Sequence, residues 1–335
     1  MLRLPAEWEK HDAVWMAWPH DKISFGALNE PKDSPDHERL GRIEKIFLQI
    51  IDALQGSEQV NLIVRDKKQH ADILEKVRMY ETNYADVWTR DYAPSFVIED
   101  AKKLAGIKWE YSAYGSKFPD LLKDNEVFKS LDLGMQLVEP GVLLEDGAIE
   151  NNGQGTLITT QQCLFARNPN MTKAEFENIF QKHLGVTKVI WLEQGIVGDH
   201  TDGHIDEVAR FVAPHKIVCA YEDDPSDENY QILQKNYETL KTATDGQWRP
   251  FEIIKLPMPH LKYRDGQKAP VSYANFYIAN KVVLAGIFND PHDAEALEIL
   301  KGLFPERQVI AIDSTDIVYG GGGVHCMTRQ QPAII

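Results

Sequence analysis

Cysteine is scarce in this sequence: only Cys163, Cys219 and Cys326 occur among its 335 residues. Three cysteines cannot all pair with one another, and no Cys-x-x-Cys spacing occurs, so a disulfide framework and a cysteine zinc knuckle are both excluded. The longest clean apolar run covers only residues 282–288, whereas a membrane-spanning helix needs about 20 apolar residues. The first twelve residues contain no apolar core of a signal peptide. We therefore expect a cytoplasmic protein without a membrane partner.

Basic residues are outnumbered by acidic ones. There are 36 lysines and arginines against 51 aspartates and glutamates, which gives a formal net charge of −15. This excess of negative charge argues against nucleic acid as a partner and favours cationic ligands. Apolar residues make up 43% and charged residues 26%, and these ordinary globular values exclude a wholly disordered chain. No Ser/Gly/Pro-rich linker divides the chain, whose length suits two domains or one large symmetric domain.

Apolar periodicity predicts helices separated by short strands. A polar loop over residues 29–37 precedes a predicted helix over 38–54, and further helices are predicted near 67–79, 173–184, 226–241 and 292–303. The helix near 173 has Thr172 as its cap, with Glu175 three residues later. Strands are predicted at 60–64, 95–99, 156–160, 188–191, 207–212, 217–221, 282–285 and 308–312. This alternation indicates an α/β or α+β protein.

A short internal echo indicates repeats. Asp146-Gly-Ala-Ile-Glu150 and Asp202-Gly-His-Ile-Asp206 share the pattern Asp-Gly-x-Ile-acid, 56 residues apart. In Gly323-Val-His-Cys326 a glycine is again followed, at the third position, by a reactive group. Since the predicted helices recur at similar spacing, we expect about five or six units of strand, turn, strand and helix.

Cys326 is the best candidate for a nucleophilic cysteine. It follows four consecutive glycines, which let backbone approach a ligand closely, and no Gly-Lys-Ser/Thr follows that would make a phosphate loop. The structural alternative is a flexible turn before a buried C-terminal strand. Cys163 and Cys219 lie in apolar segments that are predicted as strands, and we interpret them as core thiols. His325 would face away from Cys326 on a strand, so a partner base must come from elsewhere.

Residues 198–207 combine two histidines with several carboxylates. One interpretation is a metal site formed by His200, Asp202, His204 and Asp206. A second makes His204 a general acid and base, with Asp206 on the same face of an extended strand. A third is a polar turn without chemistry. The metal interpretation is weakened because Asp-Gly breaks any helix that would align His200 with His204.

Asp91 lies in Trp88-Thr-Arg-Asp-Tyr-Ala-Pro94, just ahead of a predicted strand. An arginine beside an aspartate is usually a solvated pair, so this segment alone means little. Together with Cys326, His204 and Asp206, however, Asp91 completes a set of one thiol, one imidazole and two carboxylates. Two carboxylates that each accept paired hydrogen bonds suit a planar cation with several N–H donors, such as a guanidinium.

At these motifs the sequence resembles the agmatine deiminases of the bacterial-type peptidylarginine-deiminase-like family, which are guanidino-group-modifying enzymes. The resemblance is carried by Trp-x-Arg-Asp at 88–91, Glu-x-Gly-x-Ile at 145–149, Asp-Gly-His-Ile-Asp at 202–206 and the Gly-Gly-Gly-x-x-His-Cys ending, in the same order over residues 5–332. It implies one catalytic domain over residues 1–335, built as a pseudo-symmetric α/β propeller (pentein fold) of five ββαβ units.

The resemblance also implies roles for individual residues. Cys326 would attack the guanidinium carbon, Asp91 and Asp206 would hold its nitrogens, and His204 would protonate the departing ammonia and then activate water. Neither a metal nor an organic cofactor is required. The further candidate substrate contacts are Trp88, Glu145, Glu150, Asp202, Asn275 and Gly323.

The sequence departs from the usual pattern of that family at Asp146, Glu150 and His200. The acidic residue that the family carries in place of His200 helps to bind the amine of agmatine, and Glu145, Glu150 or Asp202 would have to compensate. The leading hypothesis is hydrolysis of agmatine to N-carbamoylputrescine and ammonia, with a small cationic guanidino compound as the partner. Three alternatives stay open: deimination of free or peptide-terminal arginine, a metal-dependent hydrolase, and a non-catalytic guanidinium-binding module. Homo-oligomer formation stays open as well.

Overall fold

The strands form five separate sheets in the computed structural model, which describes residues 2–20, 24–25 and 34–334. The strands of this described part, β1 to β17 in chain order, are Leu2–Arg3, His11–Ala17, Gln59–Val64, Val77–Glu81, Ser95–Glu99, Lys103–Ile107, Gln136–Val138, Ile149–Asn151, Thr156–Thr160, Lys188–Leu192, Ala209–Ala213, Lys216–Tyr221, Glu252–Pro257, Tyr277–Ile278, Val282–Ile287, Gln308–Asp313 and Arg329–Pro332. Most of the polar loop expected over 29–37 lies outside the described residues.

All five sheets share one strand pattern. Their orders are β1-β5-β6-β7, β8-β9-β10, β11-β12-β13, β14-β15-β16 and β17-β2-β3-β4. In each sheet an antiparallel pair is followed by a parallel strand, as in β8-β9-β10, where β9 is antiparallel to β8 and parallel to β10. A parallel neighbour requires a crossover connection, and helical residues supply one between each pair of adjacent parallel strands. The predicted α/β class is therefore confirmed, and a common strand pattern in five sheets is what internal repeats would produce.

The helices cover the sheets. The α-helices α1 to α8 are Arg39–Leu54, Thr89–Tyr92, Ala113–Ser116, Val127–Ser130, Gln161–Arg167, Lys173–Leu184, Tyr230–Thr242 and Asp293–Leu303. The 3₁₀ helices are Pro35–Glu38, Lys67–Ile73, Pro119–Glu126, Asp146–Ala148, Ile205–Glu207 and Ile317–Gly320. No helix in the described part is both long and apolar enough to cross a bilayer.

The long helices agree closely with the sequence prediction. Helix α1 buries Ile43, Phe47 and Ile51 completely against the apolar side chains of β2 and β3. Burying one such side chain contributes about 1.5–3 kcal/mol, so this face fixes the helix on its sheet. Helix α6 begins at the predicted Thr172 cap, and Thr172 and Glu175 form a reciprocal capping box.

Two local predictions are wrong. The predicted helix over 67–79 is a 3₁₀ turn, Lys67–Ile73, followed by strand β4, in which Val77 and Met79 alternate with exposed residues toward the core. Cys163 lies in helix α5 rather than in a strand. The hydroxyl of Thr160 caps this helix by accepting a hydrogen bond from the backbone N–H of Cys163. Both cysteines that were predicted to be core thiols, Cys163 and Cys219, are fully buried.

The five sheets present equivalent turns to one point of the molecule. Each antiparallel pair begins at β5, β8, β11, β14 or β17, and a short turn precedes each of these strands. Asp91, Gly147, Asp206, Asn275 and Cys326 lie two to four residues before them, in that order. Residues far apart in sequence therefore meet because they occupy the same place in successive repeats.

Candidate active site

Gly147 is the point on which three functional side chains converge. A Cβ atom at this position would lie 2.6 Å from Nδ1 of His204, 2.9 Å from Oδ1 of Asp91 and 3.2 Å from Oδ2 of Asp206. The Gly147 backbone N–H also donates to Oδ1 of Asp91 at 3.1 Å. Only a residue without a side chain leaves room for this arrangement, so Gly147 is required by close approach.

Cys326 lies beside the same cluster and is 6% exposed. Its Sγ atom is 3.7 Å from Oδ2 of Asp206 and accepts a hydrogen bond of 3.1 Å from Nδ2 of Asn275. Asn275 is fixed by further bonds, since it donates to Glu207 at 2.7 Å and its Oδ1 accepts from the His325 N–H at 2.9 Å. The turn before β14 therefore positions the sulfur that the turn before β17 supplies.

Carboxylates dominate the electrostatics around the thiol. Burial raises the pKa of Cys326 well above its ordinary value, and the negative charges of Asp206, Glu207 and Asp91 raise it further. The thiol therefore keeps its proton in the ligand-free protein. A cation bound among these carboxylates would offset their charge and favour the thiolate.

The pKa of Asp91 is also strongly shifted. Burial raises its pKa to about 7, and the carboxylates of Asp206 and Glu145 act in the same direction, while His204 opposes them. The hydroxyl of Tyr114 donates to Oδ2 of Asp91 at 2.9 Å, which favours the charged form. Asp91 is thus poised to lose its proton near neutral pH.

Tyr114 reaches Asp91 from an unusual backbone turn. Ala113, Tyr114, Gly115 and Ser116 have φ angles of 51°, 59°, 74° and 64°, all in the left-handed region that non-glycine residues rarely adopt. Ser112 holds the turn, since its hydroxyl oxygen accepts from the Gly115 N–H at 2.7 Å. Such strain is concentrated at functional sites, and here it delivers one hydroxyl to one carboxylate.

His204 is 1% exposed, and neither of its ring nitrogens has a hydrogen-bond partner. Nδ1 lies 3.8 Å from Oδ1 of Asp91, and Nε2 lies 3.7 Å from Oε2 of Glu145. Burial alone would lower the pKa of His204, but the nearby negative groups, Asp91 first, outweigh it and raise the pKa well above the ordinary value. His204 therefore carries a proton in the ligand-free site.

The backbone after His204 differs from the prediction. An extended strand was expected to place His204 and Asp206 on one face, but residues Ile205–Glu207 form a 3₁₀ turn. The two side chains still meet beside Gly147, because the turn folds Asp206 back toward the cluster. Oδ1 of Asp206 and Oε2 of Glu207 are buried without a hydrogen-bond partner.

A buried network behind Asp206 has no counterpart in the sequence prediction. Nδ1 of His325 lies 2.7 Å from Oδ2 of Asp206, and Nε2 lies 2.8 Å from Oε2 of Glu7. Glu7 also accepts from Arg90 at 3.0 Å and from Arg210 at 2.8 Å. Burial would raise the pKa of Glu7, but these cations hold it well below its usual range. The network fixes the orientation of Asp206.

Arg90 does not form the solvated pair that is usual for an arginine beside an aspartate, since it is 2% exposed and reaches Glu7 instead. The strand expected around His325 is absent. Residues Val324–Met327 form a turn rather than a strand, so His325 does not simply face away from Cys326. It reaches the far side of Asp206, the carboxylate that lies next to the sulfur.

Three of the predicted substrate contacts lie around Cys326. Trp88 packs against the glycine turn, where a Cβ at Gly322 would be 2.8 Å from its ring and 3.1 Å from Cβ of Cys326. Gly323 packs closely against Asn275, whose amide bonds the sulfur. The glycine run therefore lets an indole ring and an amide approach the thiol together.

The three predicted acidic contacts are all engaged by cations. Glu145 accepts from Arg167 at 2.9 Å, and although burial opposes it, the nearby His204, Arg167 and the Ser112 hydroxyl lower the pKa of Glu145 to about 2. Asp202 is paired with Arg167 and Lys117 at 2.6 Å each. Glu150 is bound by Arg210 and by the Phe211 N–H at 2.9 and 3.0 Å. A substrate contact by Glu150 or Asp202 would have to displace one of these partners.

The structure accounts for the sequence departures at His200 and Asp146. The imidazole of His200 contacts Tyr114 and Phe118 edge-on, at centroid distances of 5.3 and 5.7 Å, and packs against Gly321. Asp146 is buried and bonds Ser95 and Arg329, which ties the turn before β8 to strand β17.

The metal quartet considered from the sequence does not assemble. His200, Asp202, His204 and Asp206 do not form one of the clusters whose ligand atoms lie within 4.8 Å of one another in the described residues. The clusters that do form at this site are Glu145, Cys163 and His204 on one side and Asp206, Glu207 and Cys326 on the other.

Comparison with known proteins identifies the family. Residues 3–332 match the family described as Porphyromonas-type peptidyl-arginine deiminase. The chain belongs to this family. The resemblance noted from the motifs is thereby confirmed, and with it the expectation that the chain is an enzyme.

Relatives within the Porphyromonas-type family cover nearly the whole chain. A Legionella pneumophila protein named "Putative agmatine deiminase" is 33% identical over 98% of this chain and 95% of its own length. The structure of an agmatine deiminase of Enterococcus faecalis is 29% identical with a TM-score of 0.85, covering 100% of this chain and 96% of its own. A substrate-bound agmatine deiminase from C. jejuni is 25% identical with a TM-score of 0.87, covering 99% and 97%. More distantly, DDAH from Pseudomonas aeruginosa, 16% identical with a TM-score of 0.54 over 96% of this chain and 99% of its own, shows the same fold.

Proposed function

We propose that this protein hydrolyses the guanidinium group of agmatine, giving N-carbamoylputrescine and ammonia. One observation carries the proposal: a buried thiol, two carboxylates and an imidazole meet near Gly147, with polar atoms of Asp206 and His204 left unpartnered. That set matches a planar cation with several N–H donors. The names of the relatives support agmatine as the substrate.

Asp91 and Asp206 would hold the guanidinium. Each carboxylate can accept two parallel N–H bonds, and such charge-assisted pairs are about twice as strong as neutral ones. Oδ1 of Asp206 has no partner in the protein and is free to accept. Asp91 is largely charged above its pKa of about 7, so binding would be favoured at neutral and alkaline pH.

The bound cation would then activate Cys326. Its positive charge would offset Asp206, Glu207 and Asp91, the groups that keep the thiol protonated, and would lower the pKa of Cys326. The thiol proton is released to solvent, and the thiolate attacks the guanidinium carbon, forming a C–S bond. The C–N bond to one terminal nitrogen then breaks, and His204, which carries a proton, gives it to the departing ammonia.

The second half returns the enzyme to its starting state. The covalent intermediate is an S-alkylthiouronium on Cys326. Neutral His204 now takes one proton from water, whose oxygen attacks the same carbon. The C–S bond then breaks with its electron pair passing to sulfur, and the remaining O–H proton passes to the thiolate, which releases the ureido product and restores the Cys326 thiol. Covalent catalysis divides one difficult displacement into two easier steps.

The proposal extends to the architecture and setting. We infer that the five sheets are the blades of a five-bladed pseudo-symmetric α/β propeller, a pentein fold of ββαβ units, and that residues 1–335 form one catalytic domain. The common strand pattern and the five converging turns support this inference. From the sequence we infer a cytoplasmic enzyme. Sedimentation of the purified protein would measure whether it forms a homo-oligomer.

The decisive experiment measures ureido-product formation from agmatine and from arginine side by side, with and without a chelator. Chelator-insensitive turnover of agmatine alone is the expected result. Turnover of arginine alone would transfer the same chemistry to the alternative substrate, with citrulline as the product. Loss of activity on chelation, restored by a metal, would overturn the covalent mechanism in favour of a metal-dependent hydrolase, and guanidinium binding without turnover would indicate a binding module.

A further inference from the structure

A second group of ionisable side chains lies outside the active site, at one edge of two sheets. Glu222 directly follows β12, His260 lies three residues after β13, and Asp290 and His292 follow β15 at the start of α8. Because β12 and β13 are parallel neighbours, their carboxyl ends meet at the same edge. The connection after β15 brings the other two side chains to this edge.

The four side chains form two short histidine–carboxylate contacts. Nε2 of His260 lies 3.0 Å from Oε2 of Glu222, and Nδ1 of His292 lies 2.9 Å from Oδ1 of Asp290. The two imidazole rings are 5.4 Å apart between centroids and nearly perpendicular. One ligand atom from each of His260, Asp290 and His292 lies within 4.8 Å of the others, and Glu222 reaches the same His260.

The two carboxylates of this group are bound by backbone N–H groups and histidines rather than by lysine or arginine. The side chains of Glu222 and Asp290 are only 5% and 6% exposed, yet neither forms an ion pair with lysine or arginine among the described residues. Buried Glu145, by contrast, has Arg167 as a partner. A histidine compensates a carboxylate fully only when it is protonated. A buried carboxylate pair of this kind favours a bound cation.

We propose that His260, His292 and Asp290, together with Glu222, bind one zinc ion. Two imidazoles with carboxylates are a donor set that zinc prefers, and a tetrahedral site with bonds of about 2.0–2.2 Å needs ligand atoms roughly 3.3 Å apart. Modest rotations of the His260 and His292 side chains would bring the ligand atoms to this separation. Both side chains have room to rotate, because they are 42% and 37% exposed.

Asp290 is the fixed member of the set. Its carboxylate accepts from the backbone N–H groups of His260 and His292 at 2.8 and 2.9 Å, so both histidine backbones are already anchored to it. Neighbouring Asp227 is engaged by Lys268 and is not needed as a ligand. The zinc ion would join the loop after β13 to the start of α8, and so would link the third and fourth sheets at this edge.

The test is calorimetric titration of the metal-free full-length protein with zinc. Every protein carries Cys326→Ser, so that the active-site thiol does not contribute. The parent is compared with His260→Ala/His292→Ala, with Glu222→Gln, and with His183→Ala as a matched control on helix α6. Removing side chains that bind the zinc ion should weaken zinc affinity at least about tenfold. Even the loss of a residue that only hydrogen-bonds to a metal ligand costs roughly 10–100-fold in affinity.

The expected result is one zinc equivalent in the parent and in His183→Ala, lost in the double-histidine variant and weakened in Glu222→Gln. Zinc should also raise the unfolding midpoint of the parent and not that of the double variant. Absence of binding in the parent would overturn the site, as would equal stoichiometry and affinity in the double variant. The unfolding midpoints without zinc show whether each variant is folded. None of these outcomes depends on deiminase activity.

Discussion

The sulfur of Cys326 and Oδ2 of Asp206 lie 3.7 Å apart, and both side chains are almost inaccessible to solvent. A thiolate so close to a carboxylate is unfavourable in a buried site, where charge repulsion is poorly screened. The pair becomes favourable when a cation is bound between the charges. Reactivity of the proposed nucleophile is thereby coupled to occupancy of the site, and the coupling leads to the following predictions.

Replacing Cys326 with serine should lower turnover of agmatine at least about a thousandfold, because removal of a covalent nucleophile is among the most costly active-site changes. Substrate binding should persist, since the carboxylates remain. Ureido-product assays measure the first effect and calorimetric titration with agmatine the second. Cys219→Ser, deep in strand β12, is the control and should retain activity. Retained turnover in Cys326→Ser would exclude the covalent mechanism.

Asp91→Asn should stabilise the ligand-free protein at alkaline pH while it weakens agmatine binding. The native pKa of Asp91 is about 7, whereas an unfolded aspartate titrates near about 3.9. Between these values the folded state binds more protons than the unfolded state, so this group makes stability fall as pH rises. Asparagine cannot ionise and removes that cost, which is on the order of 4 kcal/mol at pH 8.

Thermal unfolding at pH 5 and pH 8 measures this effect. The gain in unfolding temperature of Asp91→Asn should be largest at pH 8 and shrink toward pH 5. Agmatine affinity should fall about tenfold or more, because a charge-assisted bond worth roughly 1.5–3 kcal/mol is lost. If Asp91→Asn unfolded at a lower temperature than the wild type at pH 8, ionised Asp91 would not destabilise the ligand-free protein.

Tyr114→Phe should lower kcat/KM at pH 7 by about tenfold, because a bond to a charged group contributes roughly 1.5–3 kcal/mol. The lost hydroxyl is a donor that lowers the pKa of Asp91, so the rise of kcat/KM with pH should also move to higher pH. A pH–rate profile measures both effects. Tyr221→Phe, whose hydroxyl bonds Gln234 at the surface, should leave the profile unchanged. An unshifted profile for Tyr114→Phe would mean that this hydroxyl does not influence Asp91.

Gly147→Ala should abolish turnover without unfolding the protein. The new methyl group would occupy space 2.6–3.2 Å from atoms of His204, Asp91 and Asp206, and one of them must move. Gly41→Ala is a matched control, since a Cβ there meets nothing within 4 Å and the residue lies inside helix α1. That control should stabilise the protein by roughly 0.5–1 kcal/mol and keep full activity. Activity assays and thermal unfolding of both variants test the pair, and an active Gly147→Ala enzyme would contradict the assigned geometry.

Several elements with many buried residues could be predicted from sequence, but strand His11–Ala17, with six of its seven residues buried, was missed. Strand Val282–Ile287 and helix Lys173–Leu184 were predicted closely, because a buried parallel strand is a continuous apolar run and a capped helix has a clear period. The short strand Val77–Glu81 was missed, since five residues beside a 3₁₀ turn give too little pattern to separate strand from helix.

The repeats were predicted for a partly mistaken reason. In the echo, Ile149 begins a strand whereas Ile205 begins a 3₁₀ turn, so the two segments are out of register in the fold. Asp206 and Cys326 do occupy equivalent positions, because each lies three residues before the first strand of an antiparallel pair. These equivalent positions carry different residue types. The residue types at the converging turns therefore give no sequence signal of the common strand pattern.

Some residues of the candidate site could be predicted from sequence and others could not. Cys326 and Asp91 stand out in sequence because reactive residue types occur in local motifs. Glu7 does not, because its partners Arg90 and His325 are 83 and 318 residues away and leave no local pattern. Buried ion pairs between distant turns become visible only once the sheets are assembled.

The pairing of strands β2 and β17 also bears on how the protein is made. His11–Ala17 leaves the ribosome early, but its antiparallel partner Arg329–Pro332 leaves only after the intervening sheets. Until then one edge of the early strand offers unpaired backbone groups to any neighbouring chain, which is an aggregation hazard. The partner strand follows Cys326 by three residues, so the event that closes this edge also delivers the sulfur to Asp206. Pairing of β17 with β2 therefore covers this edge and places the nucleophile in the same step.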